Sequence, residues 1–278
     1  MNLHVINTGY FKLDGGAMFG VVPKSVWSRK MVPDENNLCT WAMRCLLVED
    51  GDRLVLIDTG LGDKQSEKFF SFFEPHGEES LLGSINNAGF SVNDITDVLL
   101  THLHFDHCGG AVSKKNDGTF FPTFPNATYW SNKKHWNWAM TPNQREKASF
   151  LKENFVPLIE NDQIQFLNDG DELISSIKVK EVHGHTEAML IPHIEYKNRT
   201  LVYMADLMPS AAHIPLPYVM GYDIRPLVTL DERVKFYQEA IRNDYILFFE
   251  HDKENECGIL KQGERRIELD TTFALKEI

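Results

Sequence analysis

The stretch THLHFDHCGG, residues 101–110, determines the interpretation of this sequence. It continues the apolar run DVLL, which is typical of a buried strand. His102 and His104 stand two positions apart, so on a strand both side chains project from one face and can reach one ion. Asp106 and His107 follow in a turn, where they can reach a second ion. Packing does not explain this density of ligand-type residues, because buried imidazoles and carboxylates are costly without partners.

The donor atoms in this stretch indicate which metal ions it could bind. Imidazole nitrogen and carboxylate oxygen suit zinc, and iron or manganese also accept this donor set. Gly109 and Gly110 lack a side chain, so the backbone can pass close to the site. The sequence therefore predicts a metal centre directly after a buried strand.

The same stretch resembles the HxHxDH motif of the metallo-β-lactamase superfamily, and other motifs extend the resemblance over nearly the whole chain. LIDTG (56–60) and GHT (184–186) are similar to its strand-end aspartate and third-histidine motifs, and the runs 200–206 and 245–251 end in matching ligand types. The resemblance implies two divalent metal ions, most simply zinc, and it implies that Asp58 orients a ligand. The implied metal ligands are His102, His104, Asp106, His107, His185, Asp206 and His251.

The resemblance also implies hydrolysis by a hydroxide that bridges both ions. Asp106 and Asp206 are the carboxylates expected to take part in catalysis. Asp206 would bridge the ions and help to orient the hydroxide. We therefore expect a metal-dependent hydrolase.

Short apolar runs bounded by Gly, Asp or Asn turns predict strands along the chain. Amphipathic helices are predicted at residues 78–90, 141–155 and 230–244. Together they predict an α/β fold in which two sheets pack face to face with helices outside, a four-layer αββα sandwich of the metallo-β-lactamase type. We expect one domain over residues 1–278, with an aromatic-rich insertion around 111–162.

The composition excludes several classes of partner. The chain has 40 acidic and 28 basic residues, a net charge of −12, and no basic patch, so we expect neither nucleic acid nor a membrane as partner. The four cysteines form no CxxC pair, and the first residues lack a basic stretch followed by an apolar run. These features predict a cytoplasmic protein. The aromatic-rich segment and the loop carrying Trp27 further suggest a homodimer.

A second resemblance is more selective. LDGGAMFGVVPK (13–24), followed by Trp27, is similar to the N-terminal loop of the quorum-quenching N-acyl-homoserine lactonase branch, in particular the YtnP-like proteins. ADLMPS (205–210) and YVMGYD (218–223) also resemble that branch. The likeness implies a small-molecule lactone substrate. Its implied substrate-binding residues are Met18, Phe19, Val21 and Trp27. The other interpretation of the loop is an ordinary β-hairpin packed on the sheet.

One position departs from the lactonase pattern. The best-known lactonases have a tyrosine three residues after the bridging aspartate, whereas Pro209 stands there in this sequence. Tyr222 is the leading candidate for the missing hydrogen-bond donor, and His213 and Tyr218 are alternatives. The identity of the donor stays open at this point.

Other activities fit the same metal motif. A phosphotriesterase or arylesterase would use the same dinuclear site with an aromatic-lined pocket. A glyoxalase II-like thiolester hydrolase shares THxHxDHxGG, but its usual helical C-terminal domain is replaced here by the short β-like segment CGILKQGERRIEL. A non-catalytic metal-binding regulator is the alternative from a different class.

Overall fold

The structure is a computed structural model that describes residues 1–278, and these residues form two compact units. The first unit comprises Met1–Gly9 and Met43–Asp169, and the second comprises Tyr10–Ala42 and Gly170–Ile278. The strands are β1 (Asn2–Asp14), β2 (Leu38–Asp50), β3 (Arg53–Ile57), β4 (Asp97–Leu99), β5 (Val112–Lys114), β6 (Phe120–Pro122), β7 (Thr128–Asn132), β8 (Ile164–Leu167), β9 (Glu172–Ile174), β10 (Ile177–Val182), β11 (Met189–Tyr196), β12 (Arg199–Tyr203), β13 (Ile246–Phe248), β14 (Cys257–Gln262) and β15 (Ile267–Phe273).

The α-helices are mostly short. They are α1 (Gly15–Met18), α2 (Lys24–Trp27), α3 (Glu67–Phe70), α4 (Leu81–Asn87), α5 (Phe105–Cys108), α6 (Lys133–Met140), α7 (Val156–Glu160) and α8 (Pro226–Arg242). Single 3₁₀ turns occur at Gly109–Ala111, Lys152–Asn154, Ala205–Leu207, Ala211–His213 and Leu275–Glu277. No helix is both long and apolar enough to cross a membrane.

The first large sheet has the strand order β1-β2-β3-β4-β7-β8. Strands β3, β4, β7 and β8 run parallel, and Ile57 is paired with Leu99. Strands β3 and β4 are mostly buried and apolar, as parallel strands covered on both faces are, whereas β7 and β8 also contain polar and partly exposed residues. The carboxyl ends of β3 and β4 lie at the same edge, so Asp58 and the stretch after residue 100 begin beside one another.

The second large sheet has the order β15-β14-β13-β12-β11-β10-β9. Strand β11 is antiparallel to both β10 and β12, and β12 is parallel to β13. Strands β10, β12 and β13 therefore run in one direction and end at one edge of the sheet. His185 follows β10, Asp206 follows β12 and His251 follows β13, so the sheet brings together three residues that are far apart in sequence.

The predicted mixed α/β fold is confirmed, whereas some predicted elements are wrong. Residues 141–151 form turns and irregular backbone instead of the predicted helix, and a single 3₁₀ turn follows at Lys152–Asn154. The Asn143 side chain accepts hydrogen bonds from the backbone N–H groups of Arg145 and Glu146 and so competes with helix formation. Part of the aromatic-rich segment is β7, a strand within the first sheet. A single domain over the whole chain stays a prediction.

Candidate metal centre

The HxHxDH stretch lies in the first unit, directly after β4. The predicted strand over residues 97–104 is too long, since β4 ends at Leu99. His102 and His104 lie in the following loop, and Asp106 and His107 lie on α5. The His102 ring centroid is 4.6 Å from that of His104 and 3.9 Å from that of His107. The histidines are thus clustered, although not by strand alternation.

Two glycines let the backbone close tightly after this stretch. A Cβ atom on Gly109 would overlap the carbonyl oxygen of Leu61, and one on Gly110 would overlap that of Thr59. The close backbone approach expected from the sequence is therefore present.

The side chain of Asp58 contacts both Thr101 and His107 and so holds the HxHxDH stretch in place. Its Oδ1 accepts a hydrogen bond of 2.8 Å from the Thr101 amide, and its Oδ2 accepts one of 2.7 Å from the Thr101 hydroxyl. Oδ2 also lies 3.1 Å from Nδ1 of His107. Asp58 is buried and has a positive φ of 58°, a backbone strain that these contacts hold in place. A carboxylate that accepts the Nδ1 proton leaves Nε2 of His107 for an ion.

The other histidines of this unit also have a ring nitrogen in contact. Nδ1 of His102 lies 3.1 Å from the Thr101 hydroxyl oxygen. His104 Nε2 lies 3.6 Å from Oε1 of Glu146, which is buried. Glu146 also accepts hydrogen bonds from the Trp138 indole and the Asn143 amide. Sequence reasoning missed Glu146, because its contact with His104 depends on the irregular backbone of residues 141–151.

In the second unit, Asp206 lies between two histidines. Its Oδ2 is 3.0 Å from Nε2 of His185, and its Oδ1 is 3.4 Å from Nε2 of His251. The preceding residue, Ala205, has a positive φ of 40°, as the chain turns sharply after β12. Each carboxylate oxygen thus faces a different histidine, so Asp206 could help to hold an ion beside either of them.

In both His185 and His251, the Nδ1 atom has a polar partner of its own. Nδ1 of His251 donates a 2.7 Å hydrogen bond to the carbonyl oxygen of Ala42. Nδ1 of His185 lies 3.1 Å from Oδ1 of the fully buried Asp223. The sequence did not predict a role for Asp223, although the adjacent Tyr222 was the leading candidate for a hydrogen-bond donor. The only available signal was that it ends the lactonase-like segment 218–223.

In the second unit, the charges around His185 favour a bound cation. Burial alone would disfavour a charged His185, but the carboxylates of Asp206 and Asp223 outweigh it and raise the pKa of His185 to about 10. The two carboxylates thus favour a positive charge at His185, and a divalent ion at Nε2 would supply one.

The candidate ligands form two principal groups. The group in the first unit is His102, His104, Asp106 and His107, and the group in the second unit is His185, Asp206 and His251. Every one of these residues is at most 9% exposed. Buried histidines and carboxylates in this number fit two divalent metal ions, because such ions balance the negative charge and use this donor set.

Comparison with known proteins decides the family, since residues 44–251 match the metallo-beta-lactamase superfamily. The chain belongs to this superfamily. It is a metal-dependent hydrolase, as predicted.

Curated relatives and solved structures agree with the superfamily assignment. An N-acyl homoserine lactonase of Bacillus cereus is 23% identical over 238 residues, which are 80% of this chain and 84% of the relative. A probable metal-dependent hydrolase from Staphylococcus aureus superposes with a TM-score of 0.86 at 28% identity and covers 98% of both chains. The dizinc quorum-quenching lactonase AidC, solved with a product, gives a TM-score of 0.79 at 23% identity and covers 98% of this chain and 95% of its own. The predicted metallo-β-lactamase fold is thereby confirmed.

The predicted substrate residues of this superfamily member lie in different environments. Phe19 and Trp27 are buried and stack on each other with ring centroids 5.3 Å apart, and His213 stacks on Phe19 at 4.9 Å. Met18 is also buried, whereas Val21 is 89% exposed. Because Trp27 and His213 both stack on Phe19, the ring has little room for an acyl chain in this conformation. Substrate contact by these four residues stays a prediction.

Two of the three candidate proton donors, His213 and Tyr222, also differ in their environments. Nδ1 of His213 is 2.8 Å from the Ser210 hydroxyl, and Nε2 donates a 2.9 Å hydrogen bond to the carbonyl oxygen of Met18. Burial, with a smaller contribution from Arg233, lowers the pKa of His213 to about 4. Tyr222 is 38% exposed. His213 is thus a neutral ring with both nitrogens engaged, while Tyr222 lies at the surface.

Arg233 organises the segment that follows Asp206, and sequence reasoning missed it. Its guanidinium is fully buried on α8. It donates hydrogen bonds to the carbonyl oxygens of Leu207 (2.6 Å), Tyr218 (2.9 Å) and His213 (3.2 Å). The α8 sequence alone predicts only an amphipathic helix, so nothing in it distinguished Arg233 from a solvated arginine.

Proposed function

We propose that the chain opens the ring of N-acyl homoserine lactones or related lactones, using two zinc ions. The observation that carries the proposal is the buried Asp206 between His185 and His251, in a chain whose curated relatives are named N-acyl homoserine lactonases. His102, His104 and His185 would hold one ion, and Asp106, His107 and His251 the other. Asp206 would be shared by both.

When bound, two divalent ions would activate water for attack and polarise the carbonyl group of the substrate. The residues of the chain prepare this site. Asp58 and Asp223 hold the Nδ1 atoms of His107 and His185, so that Nε2 of each ring is the ligand atom. Asp206 is positioned to accept a hydrogen bond from the attacking water and to keep it oriented. Attack on the carbonyl carbon breaks the ring C–O bond and leaves an alkoxide that takes up a proton.

The proton donor in this proposal is Tyr222. His213 needs its Nε2 proton for the hydrogen bond to Met18 and is neutral, so giving up a proton would break that contact. Tyr222 is accessible and precedes Asp223, which contacts a candidate ligand. The Tyr222 phenol is therefore better suited to donate to the leaving oxygen than the His213 imidazole.

A substrate panel combined with metal analysis tests the proposal. The panel contains N-hexanoyl homoserine lactone, a neutral phosphotriester, an aryl ester and a thiolester. We expect two zinc ions per chain and a kcat/KM for the lactone at least about tenfold above the others. Preference for the phosphotriester or the aryl ester would replace the lactonase assignment. Full metal content without turnover on any substrate would favour a non-catalytic regulator.

The association state is a separate part of the proposal. We keep the predicted homodimer, although the burial of Trp27 removes one of its motives. Light scattering at micromolar concentration decides it, and a monomeric mass would contradict the dimer. The cytoplasmic location likewise stays a prediction, which fluorescence imaging of the tagged protein in its own cell can check.

A further inference from the structure

The second unit contains a cavity of about 530 Å³ that none of the candidate metal ligands lines. Its walls are the segment 214–217, one face of α8, and the hairpin formed by β14 and β15. The volume falls within the range of about 300 to 1,000 Å³ that is typical of small-molecule sites. The cavity is therefore large enough for a ligand of its own.

Most of the lining is apolar and held in place. The apolar lining residues are Ile214, Pro215, Leu216, Pro217, Val234 and Ile267. The Tyr237 hydroxyl donates a 2.7 Å hydrogen bond to the carbonyl oxygen of Ile214, and Arg233 holds the carbonyl oxygen of Tyr218. Both ends of the proline-rich wall are thus fixed, and the two prolines restrict the backbone between them. Such a preformed apolar wall suits an alkyl chain.

The charge at this cavity has the opposite sign to that of the chain. Arg265 and Arg266 line it from the hairpin turn, where the Gly263 amide donates to the Arg266 carbonyl. No acidic side chain lines the cavity, although the chain carries a net charge of −12. Arg266 pairs with Glu268 at 3.3 Å on the exposed surface, whereas no carboxylate pairs with Arg265. Two guanidinium groups beside an apolar wall favour a ligand with an anionic head and an alkyl chain.

We propose that this cavity binds a medium-chain acyl carboxylate, with the carboxylate at Arg265 and Arg266 and the alkyl chain along the wall of residues 214–217. Two sources share this chemistry. One is a free fatty acid, and the other is an N-acyl amino acid such as the opened product of an acyl lactone, a source that rests on the proposed function. The binding site itself does not depend on catalysis.

Titration calorimetry on the full chain tests the proposal, with decanoate, octanoate, decanol and inorganic phosphate as probes. Decanoate should bind with one equivalent per chain and about tenfold tighter than octanoate, since each buried methylene contributes about fourfold. Decanol and phosphate should each bind at least about tenfold more weakly than decanoate, because each lacks one half of the recognised chemistry. Absence of decanoate binding, or equal binding of decanol, overturns the proposal.

Variants locate the binding site. The double change Arg265→Glu and Arg266→Glu should weaken decanoate binding at least about tenfold. Arg29→Glu is the matched control, because Arg29 is exposed, alters the charge in the same direction and does not line the cavity. Val234→Trp should block the cavity without removing a charge. Unchanged binding in both cavity variants would contradict the assignment.

Carboxylates also bind to zinc, so the metal centre must be excluded as the decanoate site. Decanoate binding should persist in Asp206→Ala and in chelator-treated wild type, and its loss in both would place the ligand at the metals. If decanoate still binds to Asp206→Ala and to the chelator-treated protein, the cavity binds its ligand whether or not the protein is a lactonase. N-decanoyl homoserine, compared with decanoate, identifies the source: tighter binding of either compound supports the site and names the ligand. Circular dichroism checks that every variant is folded.

Discussion

The two halves of the candidate metal centre are built in different ways. In the first unit, four candidate ligands lie within residues 102–107, so the chain brings them together locally. In the second unit, His185, Asp206 and His251 follow three separate strands. Both halves are supported by an aspartate that is distant in sequence: Asp58 lies 49 positions from His107, and Asp223 lies 38 positions from His185. The halves therefore differ in how their ligands are brought together, since a contiguous motif is visible in the sequence and a dispersed ligand set is not.

The largest effect should follow from removing the aromatic stack of the second unit. Phe19→Ala deletes a ring buried between Trp27 and His213. We expect the free energy of unfolding to fall by about 3 to 5 kcal/mol. If the role of Phe19 is to pack, the KM ratio between long-chain and short-chain lactones stays unchanged. A KM increase confined to long-chain lactones would instead support the substrate contact predicted from the sequence. Val21→Ala is the exposed control in the same loop.

Arg233→Ala tests the long-range support of the Asp206 segment. Two buried carbonyl groups and one partly buried carbonyl group lose their donor, so we expect a loss of about 2 to 4 kcal/mol in unfolding free energy and a weaker metal affinity. Arg233→Lys keeps the charge but not the planar fork, so it should recover only part of the loss. Lys235→Ala, an exposed change on the same helix, is the control. Equal stability and metal affinity of Arg233→Ala and the control would show that the segment needs no such support.

Asp58 and Asp223 allow the two halves to be compared directly. Each contacts Nδ1 of one candidate ligand, but Asp58 also accepts two hydrogen bonds from Thr101. Asp58→Ala and Asp223→Ala should each lower metal affinity by about 10- to 100-fold. Asp58→Ala should cost more stability, because it removes the acceptor of both the Thr101 amide and the Thr101 hydroxyl, whereas Asp223→Ala removes only that of the Met220 amide. Chelator competition and thermal unfolding measure both effects, and a larger loss of stability in Asp223→Ala would reverse the comparison.

The smallest predicted effect is a pH dependence outside the metal centre. Burial lowers the pKa of His193 on β11 to about 4. The unfolded chain binds this proton near pH 6.5, so stability is present above that pH and is lost as the pH falls towards 4. This histidine contributes a slope of up to about 1.4 kcal/mol per pH unit in that window. Denaturant titrations of His193→Leu should show a shallower slope than wild type, and an unchanged slope would exclude this group.

The sequence predicted much of the fold and the candidate ligands that lie together within residues 102–107. Apolar runs found most strands, and HxHxDH placed His102 to His107 together even though β4 ends earlier than predicted. The dispersed ligands were predicted only through family motifs. The roles of Glu146, Asp223 and Arg233 depend on turns and tertiary contacts, so no local pattern marks them. The sequence left open whether Phe19 packs inside or contacts substrate, because a glycine-rich loop looks alike whether it covers a site or packs inside.

Metal stoichiometry and lactone turnover in Asp206→Ala test the central claim most directly. Asp206 lies between His185 and His251, so its loss should reduce two bound zinc ions to one or none. The kcat/KM for N-hexanoyl homoserine lactone should then fall by about 100-fold or more. Asp231→Ala, an exposed aspartate on α8, should retain both ions and full turnover. Two ions and undiminished lactone hydrolysis in Asp206→Ala would contradict the account.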